Sequence, residues 1–533
     1  MNRMVSDFSQ VFELMTKDMP EIREIVPTYC AVSIYFDEKN CKASLLKEIA
    51  GAVLEKMDEE EEKSSGSERV ISIPVCYEDE EFAPDLENVA RHANLSPEEV
   101  IKLHSSSDYL IYMMGFLPGF PYLGGMDKRL ETPRLETPRT RIPAGSVAIG
   151  GAQTGLYPVE SPGGWNIIGR TPLKVFDKDR NPQFLYEAGD KIRFVPITRK
   201  EFEEFEDFEE GAGLSESGSE IGQNQKTEKA MPRYECGGGI KILLPGLLTT
   251  VQDGGTKGFQ KYGISQSGAM DEISFELANA LCGNKENAAC LETTLCGPSI
   301  RFVCDCDFAI TGAVFPHATL NGTSVEMNRK IHANAGAVLN CGFASKGLRS
   351  YIAFSGGILV PEVFGSRSTN LKGKIGGFFG RKLETDDEIP LGFLRKSAHL
   401  TDEDCGSRKI NPFFEVKDEI LTLECIKSSQ FDFFSEESVR IFTGSVYTVA
   451  PESDRMGIRF AGENLSCGKT DIISDAIPFG AVQITSAGLP VVMAADRQTT
   501  GGYAKIACVK KESMCALAQA TPGTKVRFYI EET

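Results

Sequence analysis

The chain has 533 residues, a net charge of -19 and 41% hydrophobic residues, with a mean hydropathy of -0.18. That length calls for roughly three to four domains, and the acidity argues against nucleic acid or an anionic membrane as partner, because phosphate contacts need basic faces. The 15 cysteines are scattered without a C-x-x-C pair and the 5 histidines lack H-E-x-x-H spacing, so no metal site can be read and the thiols are expected to be buried and free.

The start, MNRMVSDFSQVFELMTKDMP, carries no apolar signal-peptide core, and no apolar run reaches about 18 residues, so a cytoplasmic protein is expected. Residues 1–84 read as a small α/β unit. It has a strand at Val32–Phe36, an amphipathic helix over Cys41–Met57, an acidic Ser-rich loop at Asp58–Arg69 and a strand at Val70–Val75. Residues 85–200 follow as a β domain. Ser96 caps a helix with Pro97 in its first turn. A strand at Tyr109–Met114 then feeds Gly115–Pro172, where glycine and proline are too dense for helix. Short β runs there (Ser146–Ile149, Trp165–Ile168) alternate with turn dipeptides such as Pro118-Gly119 and Pro162-Gly163. Lys191–Pro196 closes this half as a strand.

Residues 201–235 turn acidic and then Gly/Ser-rich, which reads as a linker whose first part can form a solvated helix. Proteolysis is expected to nick it first, between Gly211 and Lys229. Residues 236–533 open with a strand at Ile240–Leu244 and the stretch Thr249–Met270. Asp271 caps a helix over Glu272–Leu281, which ends at Cys282-Gly283-Asn284. A Gly-rich segment lies at Gly365–Gly380, and the chain is β-rich from Ile420 to Ile530.

One pattern recurs three times: G-[SA]-V, then Gly-Leu, then Gly-Gly. It runs through Gly145-Ser146-Val147, Gly155-Leu156 and Gly163-Gly164. It returns from Gly336-Ala337-Val338 to Gly356-Gly357, and again from Gly480-Ala481-Val482 to Gly501-Gly502. The repeat points to three related β units, one before the linker and two after it.

The words GFLPGFPYLGG, TPRTRIPAGSVAIGG, TGLYP and SPGGWNIIGRTP make the first half resemble the allophanate hydrolase subunit 1 family, better described as the B subunit of bacterial 5-oxoprolinase. The words TTVQDGGTKGFQKYGISQSGAMD, ANALCGN, LETTLCGP, SDRMGIRF and ADRQTTGGYAKIA make the second half resemble the allophanate hydrolase subunit 2 family, the C subunit of the same enzyme. The pair also resembles the carboxyltransferase region of urea carboxylase. The resemblance implies a mainly β fold with an α+β N-terminal part and three cyclophilin-like β-barrels, one in the first half and two in the second. It further implies ATP-dependent opening of 5-oxoproline to L-glutamate. ATP, with magnesium, would be the cosubstrate, and a separate A subunit (LamB/YcsF-like) would complete hydrolysis. An alternative is a carboxyltransferase component of a biotin-dependent urea carboxylase, although the chain lacks the Met-Lys-Met biotin-attachment word. A further alternative is a regulator of a histidine kinase, since relatives of both parts act on one. Homo-oligomerisation is left open.

Candidate site residues follow from chemistry. The tandem ETPR loop, Glu131–Pro143, presents Arg134, Arg139 and Arg141 on a backbone stiffened by prolines. Such guanidinium forks suit a carboxylate or phosphate. Surface pairing with acids is the plain structural reading for them. Ser161-Pro162-Gly163-Gly164-Trp165 could set bare N–H groups beside an aromatic wall, or be a tight turn with a core tryptophan. Phe116, Gly119, Ser146, Gln153 and Tyr157 complete a first-half set for substrate or nucleotide. His104 reads as a general base or as a helix-end histidine. In the second half Gln252, Asp253 and Gly255 form an Asp-Gly-Gly turn. Asp496, Arg497, Gln498, Thr499, Thr500, Gly502, Tyr503 and Lys505 concentrate polar groups at the exit of an apolar strand. Asp253, Asp496 and Arg497 are taken as catalytic together with His104, Arg139 and Arg141. One pocket shared by both halves is expected, with the Arg139/Arg141 loop facing Arg497–Tyr503. The P-loop-like run from Gly462 to Thr470 has one residue too many, so any ATP site is non-standard.

Overall fold

The computed structural model describes residues 2–60, 69–212, 238–393, 411–415, 419–468 and 471–531. The expected Gly/Ser linker and most of its predicted cleavage window lie outside them. At the N-terminus α1 (Asn2–Thr16) and α2 (Ala43–Glu60) pack on the hairpin β1 (Ile22–Pro27) and β2 (Val32–Phe36) around Phe12, Ile25, Leu46 and Val53.

The next strand, β3 (Val70–Cys76), does not belong to that unit, as the 1–84 boundary supposed. It pairs in parallel with β11 (Lys191–Ile197) and completes a closed barrel. The boundary therefore falls before Val70, and most of the acidic loop that precedes it lies outside the described residues. The remaining barrel strands are β4 (Asp108–Met114), β5 (Pro121–Gly124), β7 (Ser146–Gly150), β8 (Gln153–Leu156) and β10 (Asn166–Arg170), while β6 (Arg139–Ile142) pairs only with β9 (Ser161–Gly163) as a two-stranded flap. Between β3 and β4 run α3 (Asp79–Phe82), α4 (Leu86–Ala93) and α5 (Pro97–Ser105). The Ser96 cap forms as expected, and Glu99 closes it into a reciprocal capping box. After β11, α6 (Arg199–Ala212) is the acidic helix of the sequence reading, but its Phe202 is buried against Phe82, 4.7 Å between ring centres.

The second half holds two units. In the first, β12 (Gly238–Leu244), β15 (Cys296–Phe302), β17 (Thr319–Leu320), β18 (Thr323–Ser324), β20 (Val338–Phe343) and β22 (Glu388–Leu391) form one sheet. A second sheet contains β13 (Leu248–Gln252), β14 (Cys290–Thr294), β16 (Cys306–Val314), β19 (Lys330–Ala333) and β21 (Lys346–Phe354). Both sheets contribute to one core through Ile242, Phe302, Leu339, Leu291, Phe308 and Ile352. The helix α7 (Glu272–Leu281) starts at Asp271, whose carboxylate accepts from Ser274 N, as expected.

The last unit is a second closed barrel: β23 (Ile420–Lys427), β24 (Tyr447–Val449), β25 (Gly457–Ala461), β27 (Ala481–Ile484), β28 (Pro490–Met493), β30 (Lys505–Val509) and β31 (Lys525–Ile530), with a flap made of β26 (Asp471–Ala476) and β29 (Thr500–Tyr503). The mainly β architecture stands. Its three β units are two closed rings with a pair of facing sheets between them.

The two rings are strand-for-strand copies. Going round the first, the order is β3-β11-β4-β5-β8-β7-β10, and round the second it is β23-β31-β24-β25-β28-β27-β30, with the same parallel closure at β3·β11 and β23·β31. Even the irregularity repeats. The β10·β7 register steps over Ile168, and the β30·β27 register steps over Ile506. In the middle unit β12 meets β22 antiparallel, so there the recurring words mark turns and not the same pairing.

Gly145 and Gly480 occupy one position of the two copies, at φ +82° and +86°, and a Cβ on either would overlap the carbonyl of Thr171 or Val509. Alanine at either position should destabilise by roughly 2–4 kcal/mol, the backbone penalty plus the clash. Gly336→Ala, at φ +82° with open space around it, should cost only about 1–2 kcal/mol. Urea unfolding of the three variants checks the ranking.

Candidate functional site

Barrel strands buried on both faces need a cover outside as well as a core inside. Along β7, Val147 and Ile149 enter the barrel core while Ala148 points the other way. The outward residues Met113, Tyr122, Ala148, Tyr157, Trp165 and Ile167 build a separate aromatic layer with Phe120, against which Trp165 lies edge-on at 5.6 Å. Gly150 leaves the room for that indole, since a Cβ there would come within 2.6 Å of the ring. The flap β6·β9 roofs this layer, and Leu135 N donates to Gly164 O to tie the arginine loop down.

The rest of the cover comes from the second half. Gly119 N donates to Tyr262 O at 2.7 Å, and Thr500 packs so tightly on Gly115 that a Cβ would fall inside its side chain. Tyr122 turns its hydroxyl to Thr500 and Ser474; burial raises its phenol, and those two groups and Arg134 offset part of the rise. The N-terminal hairpin joins the same seam. Glu24 accepts from Gln260 Nε2 at 2.9 Å and from Lys261 N at 3.1 Å, Tyr29 stacks edge-on to Tyr112, and Thr28 Oγ1 reaches Asp475 at 3.4 Å. Burial raises the Glu24 carboxyl, with the Gln260 bond pulling against it.

Behind Thr500 lies a buried polar cluster. Lys505 Nζ meets Asp475 Oδ2 at 2.8 Å, and Gln430 Nε2 meets the same oxygen at 2.9 Å. Arg497, only 1% exposed, bonds Ile477 O and Gln260 Oε1 and faces the Tyr35 hydroxyl. Five buried side-chain atoms in the two flaps and this cluster have no hydrogen-bond partner among the described residues: Ser161 Oγ, Gln430 Oε1, Gln483 Nε2, Thr499 Oγ1 and Thr500 Oγ1. Orphaned polar atoms are uncommon in native interiors and cost free energy, so several in one region mark a place built for more than stability.

The carboxyltransferase-domain model for subdomains C and D matches residues 2–186, and the model for subdomains A and B matches residues 262–530. The chain belongs to the carboxyltransferase-domain family. Its first part is 43% identical over 195 residues to the B subunit of 5-oxoprolinase from Bacillus subtilis, covering 35% of this chain and 81% of that protein. Its second part is 38% identical over 290 residues to the C subunit of 5-oxoprolinase from Escherichia coli, covering 54% of this chain and 90% of that protein. The urea amidolyase of Saccharomyces cerevisiae is 31% identical over 302 residues, 54% of this chain but only 16% of the yeast protein. In structure, TTHA0988 superposes with a TM-score of 0.80 at 29% identity over 98% of this chain and 96% of its own. In this carboxyltransferase-type chain the C/D and A/B parts are thus fused in one polypeptide, as the resemblances of its two halves indicated.

The residues expected to act divide into three groups. The seam gathers Arg497, Thr499, Thr500 and Lys505 from the second half, with Tyr157, Ser161, Gly163, Gly164 and Trp165 on the aromatic face opposite. Gln153 lies at the edge of that face, bonded to Tyr29, with Phe116 packed against it, while Gly119 lies against Phe176 and Phe184. Gln498 and Gly502 are half-buried, and Tyr503 is exposed at the flap end.

A second group holds the fold. His104 is no base. It is fully buried and flanked by Tyr77 and Thr154 at 2.9 and 2.8 Å, and burial lowers its pKa to about 3. Thr154 spends its proton on Ala148 O, so these bonds assign the ring proton to Nε2 and make Nδ1 the acceptor from Tyr77. Asp253 accepts from Ser366, Ser368, Gly255 N and Arg367 N, which fixes a turn, and Gln252 bonds Thr250 and Thr369 O. Asp496 is clamped by Arg455 at 2.9 and 3.1 Å. Ser146 Oγ bonds Pro143 O.

The third group is the arginine loop. Arg139 makes a two-pronged pair with the largely buried Asp85, 2.8 Å on each arm, and Arg141 pairs with the exposed Glu160 at 2.7 Å. Both are engaged inside the first half, so the expected facing of this pair on Arg497–Tyr503 is replaced by contact through Gly115–Tyr122. Sequence reasoning missed Tyr122, Asp475, Gln483 and Gln430. Only Tyr122 had a signal, its place inside GFPYLGG.

Two outcomes follow. Arg139→Lys should lose roughly 1.5–3 kcal/mol with the fork, whereas Arg141→Lys should stay within about 0.5 kcal/mol, both by urea unfolding. Because the folded pKa of His104 lies below its ordinary 6.5, its contribution is whole above that value. It fades as pH falls toward 3, by about 1.4 kcal/mol per unit for one proton. His104→Gln should remove that slope from a pH series of unfolding curves.

Proposed function

We propose that this chain is the fused B–C component of an ATP-dependent 5-oxoprolinase, which activates 5-oxoproline for hydrolysis to L-glutamate together with a separate A subunit. The observation that carries this reading is the single seam. The half similar to the B subunit and the half similar to the C subunit meet on one buried face that holds Lys505, Arg497, Asp475 and unpaired donors and acceptors. Two proteins acting on one shared site is the arrangement that fusion into one chain would preserve.

The chemistry is consistent with that face. A lactam carbonyl is a poor electrophile. Transfer of the γ-phosphoryl group of ATP to the lactam oxygen releases ADP and leaves a carbon that water attacks readily. Ring opening then liberates phosphate and glutamate. Such a transfer needs fixed cations around the phosphoryl oxygens, and Lys505, Arg497 and Arg134 are cations at the seam. Magnesium is accommodated on the triphosphate with one or two carboxylates; among the described residues no group of three or more His, Cys, Asp or Glu forms a cage for it.

The similarity to urea amidolyase supports a second reading, carboxyl transfer from carboxybiotin to a urea-like amide. The chain spans about a sixth of that enzyme, so partner chains would have to supply the biotin and its carboxylation.

A coupled ATPase assay separates the readings. With 5-oxoproline and an A subunit, ADP and glutamate should appear in equal amounts, and omission of either the lactam or the A subunit should abolish glutamate. ATP turnover indifferent to 5-oxoproline would overturn the oxoprolinase reading.

A further inference from the structure

The two barrels provide an internal control, because the first shows what the same outer face looks like when only packing is asked of it. The shared bulge fixes the alignment: Val147 with Gly169 corresponds to Val482 with Ala507, and Ala148 with Ile167 corresponds to Gln483 with Lys505. In the flaps, Ile142 opposite Ser161 corresponds to Ile477, whose N donates to Thr499 O, which places Asp475 where the first barrel has the exposed Thr140. An alanine–isoleucine pair in one copy is therefore a glutamine–lysine pair in the other, at the same depth and on the same strands.

The fold does not require that change, since the first barrel closes with hydrocarbon there. Burying the Lys505–Asp475 pair, with side chains 4% and 13% exposed, carries a desolvation penalty that apolar residues avoid. Gln483 adds to it: its Nε2 has no partner among the described residues, and the residue is 6% exposed. Gln430 spends its Nε2 on Asp475 and leaves its Oε1 unpaired, and Thr499 Oγ1 is unpaired as well. Gly501 carries no side chain over this face, and a Cβ at that position would stand 3.4 Å from Gln483 Nε2.

We propose that the outer face of the last barrel, under the flap Asp471–Ala476 and Thr500–Tyr503, is a binding subsite for a small planar amide. Gln483 Nε2 and Lys505 donate to the amide oxygen, and Gln430 Oε1 accepts the amide N–H. The unpaired groups are one donor, one acceptor and the hydroxyls of Thr499 and Thr500, which can serve as either, and together they complement a lactam or a ureide. A bare anion would leave the Gln430 oxygen facing it, and an apolar ligand would leave every one of these groups unsatisfied. Lys505, already neutralised by Asp475, adds a donor without adding net charge. This deepens the oxoprolinase reading and rests on it for the lactam, but the amide class follows from the donor pattern alone.

The test is ligand binding without ATP, on the full chain, by calorimetry with 5-oxoproline, 2-pyrrolidinone and urea as separate probes. At least one should bind saturably at or below about 1 mM. Gln483→Ala gives the last barrel the residue that the first one carries. It should weaken that binding at least about tenfold, with the melting temperature unchanged or raised, because an orphaned amide is removed. The joint variant Lys505→Met with Asp475→Leu removes both charges together, so no buried ion is stranded, and it should bind no probe while still melting cooperatively. Unaltered binding in a folded Gln483→Ala protein, or no saturable binding of any probe by the unmodified chain, would overturn the subsite. Binding of 2-pyrrolidinone or urea but not of 5-oxoproline, lost in Gln483→Ala, would support the subsite and overturn the oxoprolinase reading.

Discussion

Arg455 is the pivot of the second half. Its guanidinium holds Asp496 through two bonds and also binds Glu292 on β14 and Gly268 O. Burial pushes the Glu292 carboxyl up, but Arg455 and Arg349 outweigh that and hold it below the usual range. With Tyr351 and Met270 N also on Glu292, the middle sheets are locked to the last barrel by one network of bonds. Loss of one member would strand a charge in the interior, which typically costs about 3–5 kcal/mol. Asp496 stands directly before Arg497 and the flap strand that begins at Thr500. The network therefore sets where the polar face meets the first half.

The N-terminal hairpin extends that logic across the linker. Glu24 reaches the backbone of Lys261 and the side chain of Gln260, which itself holds Arg497. One chain of bonds thus runs from β1 to the last barrel. The N-terminal part that the sequence showed only as a small α/β unit is the third wall of the seam.

What the sequence made legible was backbone chemistry. The caps Ser96 and Asp271 and the recurring glycines of the two rings are local signals, and the structure uses each where it was read. Gly145 and Gly480 even disclose the duplication, because a strained position admits no other residue cheaply. The site was less legible for the opposite reason. Asp85 sits 54 residues from Arg139 and Asp475 sits 30 from Lys505, so neither spacing carries a pattern. His104 looked chemical because histidine is scarce here, yet its neighbours make it a core residue. The middle unit misled through its words, since turns recur there without the pairing that closes a ring.

The contact of Thr500 on Gly115 leaves no space for a methyl group. That makes the joint between the halves a keyed one, in the way a lock tolerates one profile. In proteins whose two parts are made as separate chains, any substitution at the position of Gly115 must be answered by a smaller residue opposite. Parts taken from different proteins would then be interchangeable only when both sides of this pair match, whatever the similarity of the remaining surface. Fusion removes that choice of mate altogether: a first half that always meets its own second half is free to let the fit grow tighter than a population of exchangeable parts could sustain.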